Sequence, residues 1–256
     1  MSLFFPAVFF VFGAIVASFV GVLVARLYTG QSFVVGRSKC DACGSPLTSL
    51  MLVPIFSHLA SGGRAHCCGT HLSFLSPATE LLLGVLFAFG YVQLGFTVAL
   101  PFMFLSLALL TALVLYDLAH QILPTSLLAA FVLSSALTGF FLAPSPDEFY
   151  TSAFVALLIG GSLMLVHLLS HGRAMGFSDA PFVFGLSLMV GPAALSGFIF
   201  SFWIGAVIGI LILLKRPRGS RMGGEVPFAP FLAAGFLLAY FTQWNPFIFI
   251  ASLPGL

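Results

Sequence analysis

Charged side chains are scarce in this chain of 256 residues. Aspartate and glutamate together number seven, lysine and arginine number nine, and all four make up only 6% of the sequence. Because a soluble domain carries about 25% charged residues, the chain lacks the side chains that form a water-facing surface. This shortage excludes a soluble enzyme. It also argues against nucleic-acid binding, which needs a soluble basic domain.

A basic segment is likewise missing at the N-terminus. The opening stretch MSLFFPAVFF contains no lysine or arginine. The apolar run that it begins is longer than the hydrophobic region of a cleavable secretion signal. We therefore expect this first segment to stay in the protein as a transmembrane helix.

Apolar residues are abundant where charge is lacking. Hydrophobic residues make up 60% of the chain and phenylalanine occurs 31 times. A helix needs about 20 mainly apolar residues to cross the hydrocarbon core. The predicted fold class is therefore all-α, a polytopic membrane protein with about eight transmembrane helices. The predicted spans are Leu3–Leu27, Pro77–Leu94, Phe96–Tyr116, Pro124–Leu142, Phe149–Leu169, Pro181–Ser196, Gly197–Leu214 and Phe228–Ile250.

The basic residues all fall in loops, or at the span end that leads into such a loop, on one face of the membrane when eight spans are counted. They are Arg26, Arg37, Lys39, Arg64, Arg173, Lys215, Arg216, Arg218 and Arg221. The positive-inside rule predicts that this face is cytoplasmic, with both termini on the opposite side. The same count places Asp117 and Asp179 at the cytoplasmic boundary.

One polar stretch, residues 28–76, is long enough to form a small soluble domain, and it contains all four cysteines. It is too small to be stabilised by a hydrophobic core alone. We expect three parts: a first transmembrane helix at 1–27, a cytoplasmic loop domain at 28–76, and a membrane-embedded peptidase core at 77–256.

The cysteines indicate a structural zinc site in this loop. Thiols that cluster in the reducing cytoplasm favour a metal over a disulfide, and zinc takes four Cys or His ligands in a tetrahedron. Only the first CxxC pair is intact, because Ala65 stands where the second pair would begin. The four candidate ligands are Cys40, Cys43, Cys67 and Cys68.

Three alternatives to this ligand set stay open. His66 can take the place of the missing cysteine in the second pair, or Cys68 and His71 can form that pair. The third alternative is a knuckle that no longer binds metal.

Asp117 and Asp179 each lie where a long apolar run breaks into a polar stretch, in ALVLYDLAHQILPTSLL and RAMGFSDAPFVFGL. An ionisable group at the edge of the hydrocarbon indicates function by default. The structural alternative for Asp117 is an interfacial carboxylate that reaches water. For Asp179 it is a helix cap, because Pro181 follows as it does in many first turns.

Two carboxylates placed together do not both ionise readily, so one keeps a proton. The ionised partner can activate water, and the protonated one can supply a proton to the leaving amine. The pair therefore predicts an aspartic peptidase whose site lies at the membrane boundary.

Seven short stretches occur in a specific order. They are 17–22 (ASFVGV), 40–47 (CDACGSPL), 53–57 (VPIFS), Pro77 with Glu80, 117–124 (DLAHQILP), 176–179 (GFSD) and 226–231 (VPFAPF). As a set they resemble the type IV prepilin peptidases, also called prepilin leader peptidases, which are GxGD-type membrane aspartic proteases. The family's versions read GSFLNV, a cysteine knuckle, IPVLS, PxxE, DxxxxxLP, GxGD and IPFGPF.

This resemblance implies that Asp117 and Asp179 are the catalytic pair. The family removes a short basic leader from type IV prepilins or type II secretion pseudopilins, at the cytoplasmic face of the bacterial inner membrane. Many members then N-methylate the new N-terminus with S-adenosylmethionine. The implied partners are these substrates and the lipid bilayer.

Four further residues are candidates for substrate or methyl-donor binding: Glu80, His120, Gly176 and Ser178. Glu80 has the alternative of a first-turn acid favoured by the helix dipole, and His120 that of an interfacial histidine. His167, near the end of the fifth span, is interpreted as a membrane-surface residue.

The chain departs from the family pattern at several positions. Ser178 replaces the glycine before the second aspartate, Pro181 replaces a lysine, and Ala65 replaces a cysteine. Both aspartates are retained, so proteolysis is expected ahead of methyl transfer. The alternatives are a proton- or cation-coupled transporter, whose site would lie near mid-membrane, and a catalytically inactive scaffold homologue.

Overall fold

The computed structural model describes residues 3–29, 43–45, 61–65, 67–215 and 227–246. Within these ranges the secondary structure is helical, apart from an isolated bridge between Arg64 and His71. The predicted all-α fold class is confirmed. The helices are α1 (Phe4–Arg26), α2 (Leu75–Leu94), α3 (Ala99–His120), α4 (Thr125–Leu142), α5 (Pro146–Leu169), α6 (Asp179–Val190), α7 (Ala194–Lys215) and α8 (Ala229–Thr242).

Six segments of the described chain are long and apolar enough to cross a membrane. Five of them are α1 to α5, and the sixth, Asp179–Leu214, takes in α6 and α7. Many large apolar side chains on these helices are exposed, as expected of surfaces that face lipid. The chain is therefore a multi-pass membrane protein.

The break between α6 and α7 differs from the predicted boundary at Ser196 and Gly197. It lies at a 3₁₀ turn, Gly191–Ala193. Gly191 has φ of 58°, a backbone conformation that favours glycine, and Pro192 follows it with no N–H to continue the α-helical ladder. The last apolar helix, α8, is shorter than the predicted span, whose residues 247–250 lie outside the described ranges.

The chain divides into two compact units, Met1–Leu100 and Pro101–Leu256. In the first unit α1 packs closely on α2. A Cβ atom added to Gly13 would lie 2.7 Å from the Leu83 carbonyl oxygen, and one added to Gly84 would lie 2.8 Å from that of Phe10. Small residues thus let the two backbones approach, as is common between membrane helices. The predicted division into residues 1–27, 28–76 and 77–256 stays a prediction.

In the second unit α6 lies among other helices and is buried along most of its length. It contacts α4, where Gly185 lies against the Phe131 ring, and α5, where Gly160 lies against the Ala180 carbonyl. The Phe131 and Phe182 rings, both fully buried, meet at 5.6 Å. Because α6 is held from two sides, its first residue, Asp179, has a defined position.

Helices α7 and α8 run antiparallel in the same unit. A Cβ on Gly197 would lie 2.9 Å from Phe236 Cα, and one on Gly205 would lie 3.6 Å from the Phe231 ring. Gly235 in turn lies against the backbone of Ser201. This packing fixes where α8 begins, at Ala229.

Candidate active site

Asp117 lies in the last turn of α3 and is only 7% exposed. Its Oδ2 accepts a hydrogen bond of 3.2 Å from the backbone N–H of Ala229, the first residue of α8. The positive end of the α8 dipole therefore faces this carboxylate and offsets the unfavourable end of α3.

The role of Ala229 does not follow from the sequence. The available signal was Pro230, since proline is frequent in the first helical turn, within a stretch already noted for its resemblance. That signal predicts a helix start, but it does not say which side chain the free N–H groups bind.

Asp179 is the first residue of α6 and is half-buried. Its Oδ2 accepts a hydrogen bond of 3.1 Å from the backbone N–H of Gly176. A capping side chain would instead bond forward into the helix. The Asp179 carboxylate is thus held by the loop before α6, and a Cβ on Gly176 would lie 3.3 Å from it.

Both aspartates line one cavity of about 680 Å³. Its wall comes from the end of α3 and residues 121–123, from the α5–α6 loop at 172–176 and Ser178, from Phe202, and from residues 227–228 before α8. The volume lies within the range of ligand pockets, about 300–1,000 Å³.

The comparisons with known proteins show which family the chain belongs to. Residues 11–94 match the family model of the bacterial peptidase A24 N-terminal domain. A prepilin leader peptidase/N-methyltransferase of Bacillus subtilis (strain 168) is 30% identical over 241 residues, covering 91% of this chain and 93% of the relative. The chain belongs to the prepilin leader peptidase/N-methyltransferase family.

Two other relatives bear the same name. That of Myxococcus xanthus (strain DK1622) is 32% identical over 220 residues, covering 84% of this chain and 65% of the relative. That of Aeromonas hydrophila is 31% identical over 229 residues, covering 83% of this chain and 76% of the relative. No solved structure matches the chain. Membership in the prepilin leader peptidase family confirms the predicted resemblance and the predicted peptidase class.

The cavity also contains residues predicted from the family motif. Gly176 and Ser178 both line it, so the structure brings them together with the two aspartates. Arg173 lines it as well and is exposed. The lysine that the family has at the position of Pro181 is absent, but the Arg173 side chain provides a positive charge at this cavity.

His120 and Glu80, the other two candidates, are not among the residues that line the cavity. His120 is exposed, is not part of the cavity wall, and packs on the Tyr116 ring at 4.5 Å. Glu80 belongs to the first unit and is 6% exposed. Because α2 begins at Leu75, Glu80 lies beyond its first turn, so the interpretation as a first-turn acid is wrong. The Ser76 hydroxyl lies 3.5 Å from its carboxylate.

Three of the four predicted metal ligands form a cluster in the first unit. The Sγ atoms of Cys43 and Cys67 are 3.3 Å apart, those of Cys67 and Cys68 are 3.8 Å apart, and all three lie within 4.8 Å of one another. Thiolates bound to one zinc ion at 2.3 Å would be separated by about 3.8 Å. The three cysteines are therefore placed to hold a metal. Cys40 lies outside the described residues.

A tight turn presents Cys67 and Cys68. The N–H of Ala65 donates to the Thr70 carbonyl at 2.8 Å, and the N–H of Gly69 donates to the Ala65 carbonyl at 2.7 Å. Ala65 itself is 7% exposed. His71 is not part of the cysteine cluster among the described residues, and His66 lies outside them.

Proposed function

We propose that this chain is a membrane aspartic endopeptidase that cleaves the short basic leader of type IV prepilins or type II secretion pseudopilins. One observation carries the proposal: Asp117 and Asp179, 62 positions apart by their numbers, line the same cavity. The names of the relatives supply the substrate class. The family motifs around both aspartates support the same assignment.

The proposed reaction is hydrolysis of one peptide bond. The ionised member of the pair takes a proton from water, and the water oxygen attacks the scissile carbonyl carbon. The protonated member stabilises the developing oxyanion, and a proton then passes to the amine as the C–N bond breaks. The products are a carboxylate and an amine, and the roles belong to the pair as a unit.

The backbone contacts support this chemistry by fixing both acids. Each carboxylate accepts one N–H, Asp117 from Ala229 and Asp179 from Gly176. Neither bond uses the second carboxylate oxygen, which is left for water or substrate. Preorganised groups that need no rearrangement are the usual source of catalytic power.

The cavity wall supports the proposed substrate. Phe202 and Phe228, whose rings are 5.7 Å apart, contribute an apolar side. That side suits the apolar segment that follows a prepilin leader, while the two carboxyl groups attract a basic leader. Arg173 offers hydrogen-bond donors to carbonyl groups of the bound chain.

The location of the acids argues against the transporter alternative. Asp117 is in the last turn of α3 and Asp179 is the first residue of α6, so both lie at helix ends and not at mid-helix. Arg173 lies at this end of the second unit, and α7 ends in Lys215. We propose by the positive-inside rule that this end faces the cytoplasm, in the bacterial inner membrane.

We also propose that the cysteine loop holds a structural zinc ion. Cys43, Cys67 and Cys68 would supply three thiolates and Cys40 the fourth. The ion would stabilise a loop that has little apolar core.

Methyl transfer from S-adenosylmethionine stays a prediction. The relatives' names include N-methyltransferase, which supports it. Glu80, the carboxylate predicted to serve it, is 6% exposed, so little of its surface is available to a methyl donor.

The peptidase proposal is tested by replacing each aspartate with asparagine. D117N and D179N, purified and reconstituted in liposomes, are assayed on a peptide with a lysine-rich leader that ends in glycine before an apolar segment. We expect each variant to lose cleavage by at least about 100-fold. The matched control is D147N, an exposed acid in the first turn of α5, which should cleave normally. Unchanged cleavage in D117N or D179N would defeat the proposal.

A further inference from the structure

His167 lies in the last turn of α5, 12 positions before Asp179 by their numbers, and its side chain is half-buried. Its Nδ1 lies 2.9 Å from the carbonyl oxygen of Met175. A carbonyl oxygen can only accept, so Nδ1 carries the hydrogen and donates it. The bond ties His167, at the end of the span, to the loop that follows α5.

The α5–α6 loop folds back onto this imidazole. His171 and Gly172 have φ of 52° and 76° and reverse the chain direction. The N–H of Gly172 donates to the His167 carbonyl at 2.9 Å, and a Cβ on Gly172 would lie 3.3 Å from His167 Cε1. The Phe177 ring meets the imidazole edge-on at 5.8 Å. The loop is therefore packed around the His167 side chain.

The carbonyl that His167 binds and the N–H that holds Asp179 belong to one peptide group. The C=O of Met175 and the N–H of Gly176 share the Met175–Gly176 peptide bond, which is planar and trans, so the C=O and N–H bonds point in opposite directions. His167 Nδ1–H donates to the oxygen of this peptide group. The N–H of the same group, that of Gly176, donates to Asp179 Oδ2 at 3.1 Å. Fixing the oxygen thus fixes the direction of the N–H.

We infer that His167 is a positioning residue that acts on Asp179 through the Met175–Gly176 peptide group. This inference rests on the proposed function of Asp179. Two hydrogen bonds in series through one peptide group also polarise each other. The side chain of His167 does not line the cavity, so it acts on the carboxylate and not on the substrate.

Without the imidazole N–H, the Met175–Gly176 peptide can rotate and the Gly176 N–H can leave Asp179. The carboxylate would then be misplaced, and small misplacements lower rates strongly, by up to about 100-fold for 1 Å. The effect should appear in kcat. KM should change little, because His167 does not line the cavity and the side chains that do are not replaced.

Four variants separate the hydrogen bond from the packing. H167F keeps an aromatic ring for Phe177 but removes the donor, and H167A removes both. H167N places an amide N–H near the position of Nδ1, whereas H167Q places it one bond further out. The matched control is H171N, since His171 is the neighbouring exposed histidine and asparagine tolerates its positive φ.

We expect kcat to fall about 10- to 100-fold in H167F and H167A, with KM within about two-fold of the wild type. H167N should recover most of kcat, H167Q should recover less, and H171N should match the wild type. The measurement is steady-state cleavage of the leader peptide in liposomes, with thermal unfolding to confirm that each variant is folded.

Three results would overturn the inference while leaving the peptidase intact: wild-type kcat in H167F, a rise in KM alone, or no recovery in H167N relative to H167F. Failure of the proposed function is seen separately, as continued cleavage by D179N. The two failures are therefore distinguishable.

Discussion

The Asp117 carboxylate and the backbone N–H of Ala229 form a hydrogen bond across 112 positions of sequence. The bond joins the last turn of α3 to the first residue of α8, and the Asp117 side chain that makes it is buried. The bond has two roles. It gives a backbone N–H at the start of α8 an acceptor, and it fixes the position of a candidate catalytic acid. These two roles can be separated by mutation.

The stability role of Asp117 predicts a difference between D117N and D117A. The asparagine amide oxygen can still accept from the Ala229 N–H, so D117N should unfold within about 0.5 kcal/mol of the wild type. D117A leaves that N–H without its acceptor and should be less stable by about 1–3 kcal/mol. Both should be inactive. Thermal unfolding in detergent beside the cleavage assay checks this, and equal stability of the two variants would contradict it.

Gly176 provides a test of how tightly the Asp179 carboxylate is held. The Cβ of G176A would lie 3.3 Å from Asp179 Oδ2, which is closer than ordinary carbon–oxygen contact. The carboxylate must shift, so we expect activity to fall about 10-fold or more with little change in unfolding temperature. G209A in α7 is the control, because its Cβ would meet nothing within 4 Å. Full activity of G176A would show that the bond to Gly176 is dispensable.

The buried hydroxyl groups of the second unit predict opposite effects for two serines that are both 0% exposed. Ser106 of α3 bonds to Ser134 at 3.0 Å and to Thr138 at 3.1 Å, both on α4. S106A should therefore destabilise the protein by about 0.6–1.7 kcal/mol. The Ser187 hydroxyl has no hydrogen-bond partner among the described residues, so S187A should be neutral or stabilising. The reverse order of unfolding temperatures would refute this account of the helix contacts.

The cysteine cluster predicts one zinc ion per chain in the purified protein. C67S removes the central thiolate, which lies next to both Cys43 and Cys68, and should abolish retention of the ion. Elemental analysis measures the metal content. Cobalt substitution provides a second measurement, since thiolate ligands give an intense charge-transfer band. Equal zinc in C67S and wild type would place the metal elsewhere or show it to be adventitious.

The membrane fold followed from composition. Charged residues make up only 6% of the chain, so the long apolar runs were predicted to be membrane-spanning helices. Five of the predicted spans correspond to separate helices, α1 to α5. The break between α6 and α7 was harder to predict, because Gly191, Pro192 and Gly197 all offered a turn. Packing decided it: Gly197 is needed within α7 to let Phe236 of α8 approach.

The sequence alone determined the type of protein and pointed to the two acids proposed to carry its chemistry, since hydropathy and the spacing of motifs are local properties of the chain. Tertiary structure decided which groups hold those acids. The Ala229 N–H reaches Asp117 only because α7 and α8 pack antiparallel, and His167 reaches the Met175–Gly176 peptide only because the α5–α6 loop reverses. Hydrogen bonds between distant backbone and side-chain groups depend on packing, and no periodicity in the sequence records them.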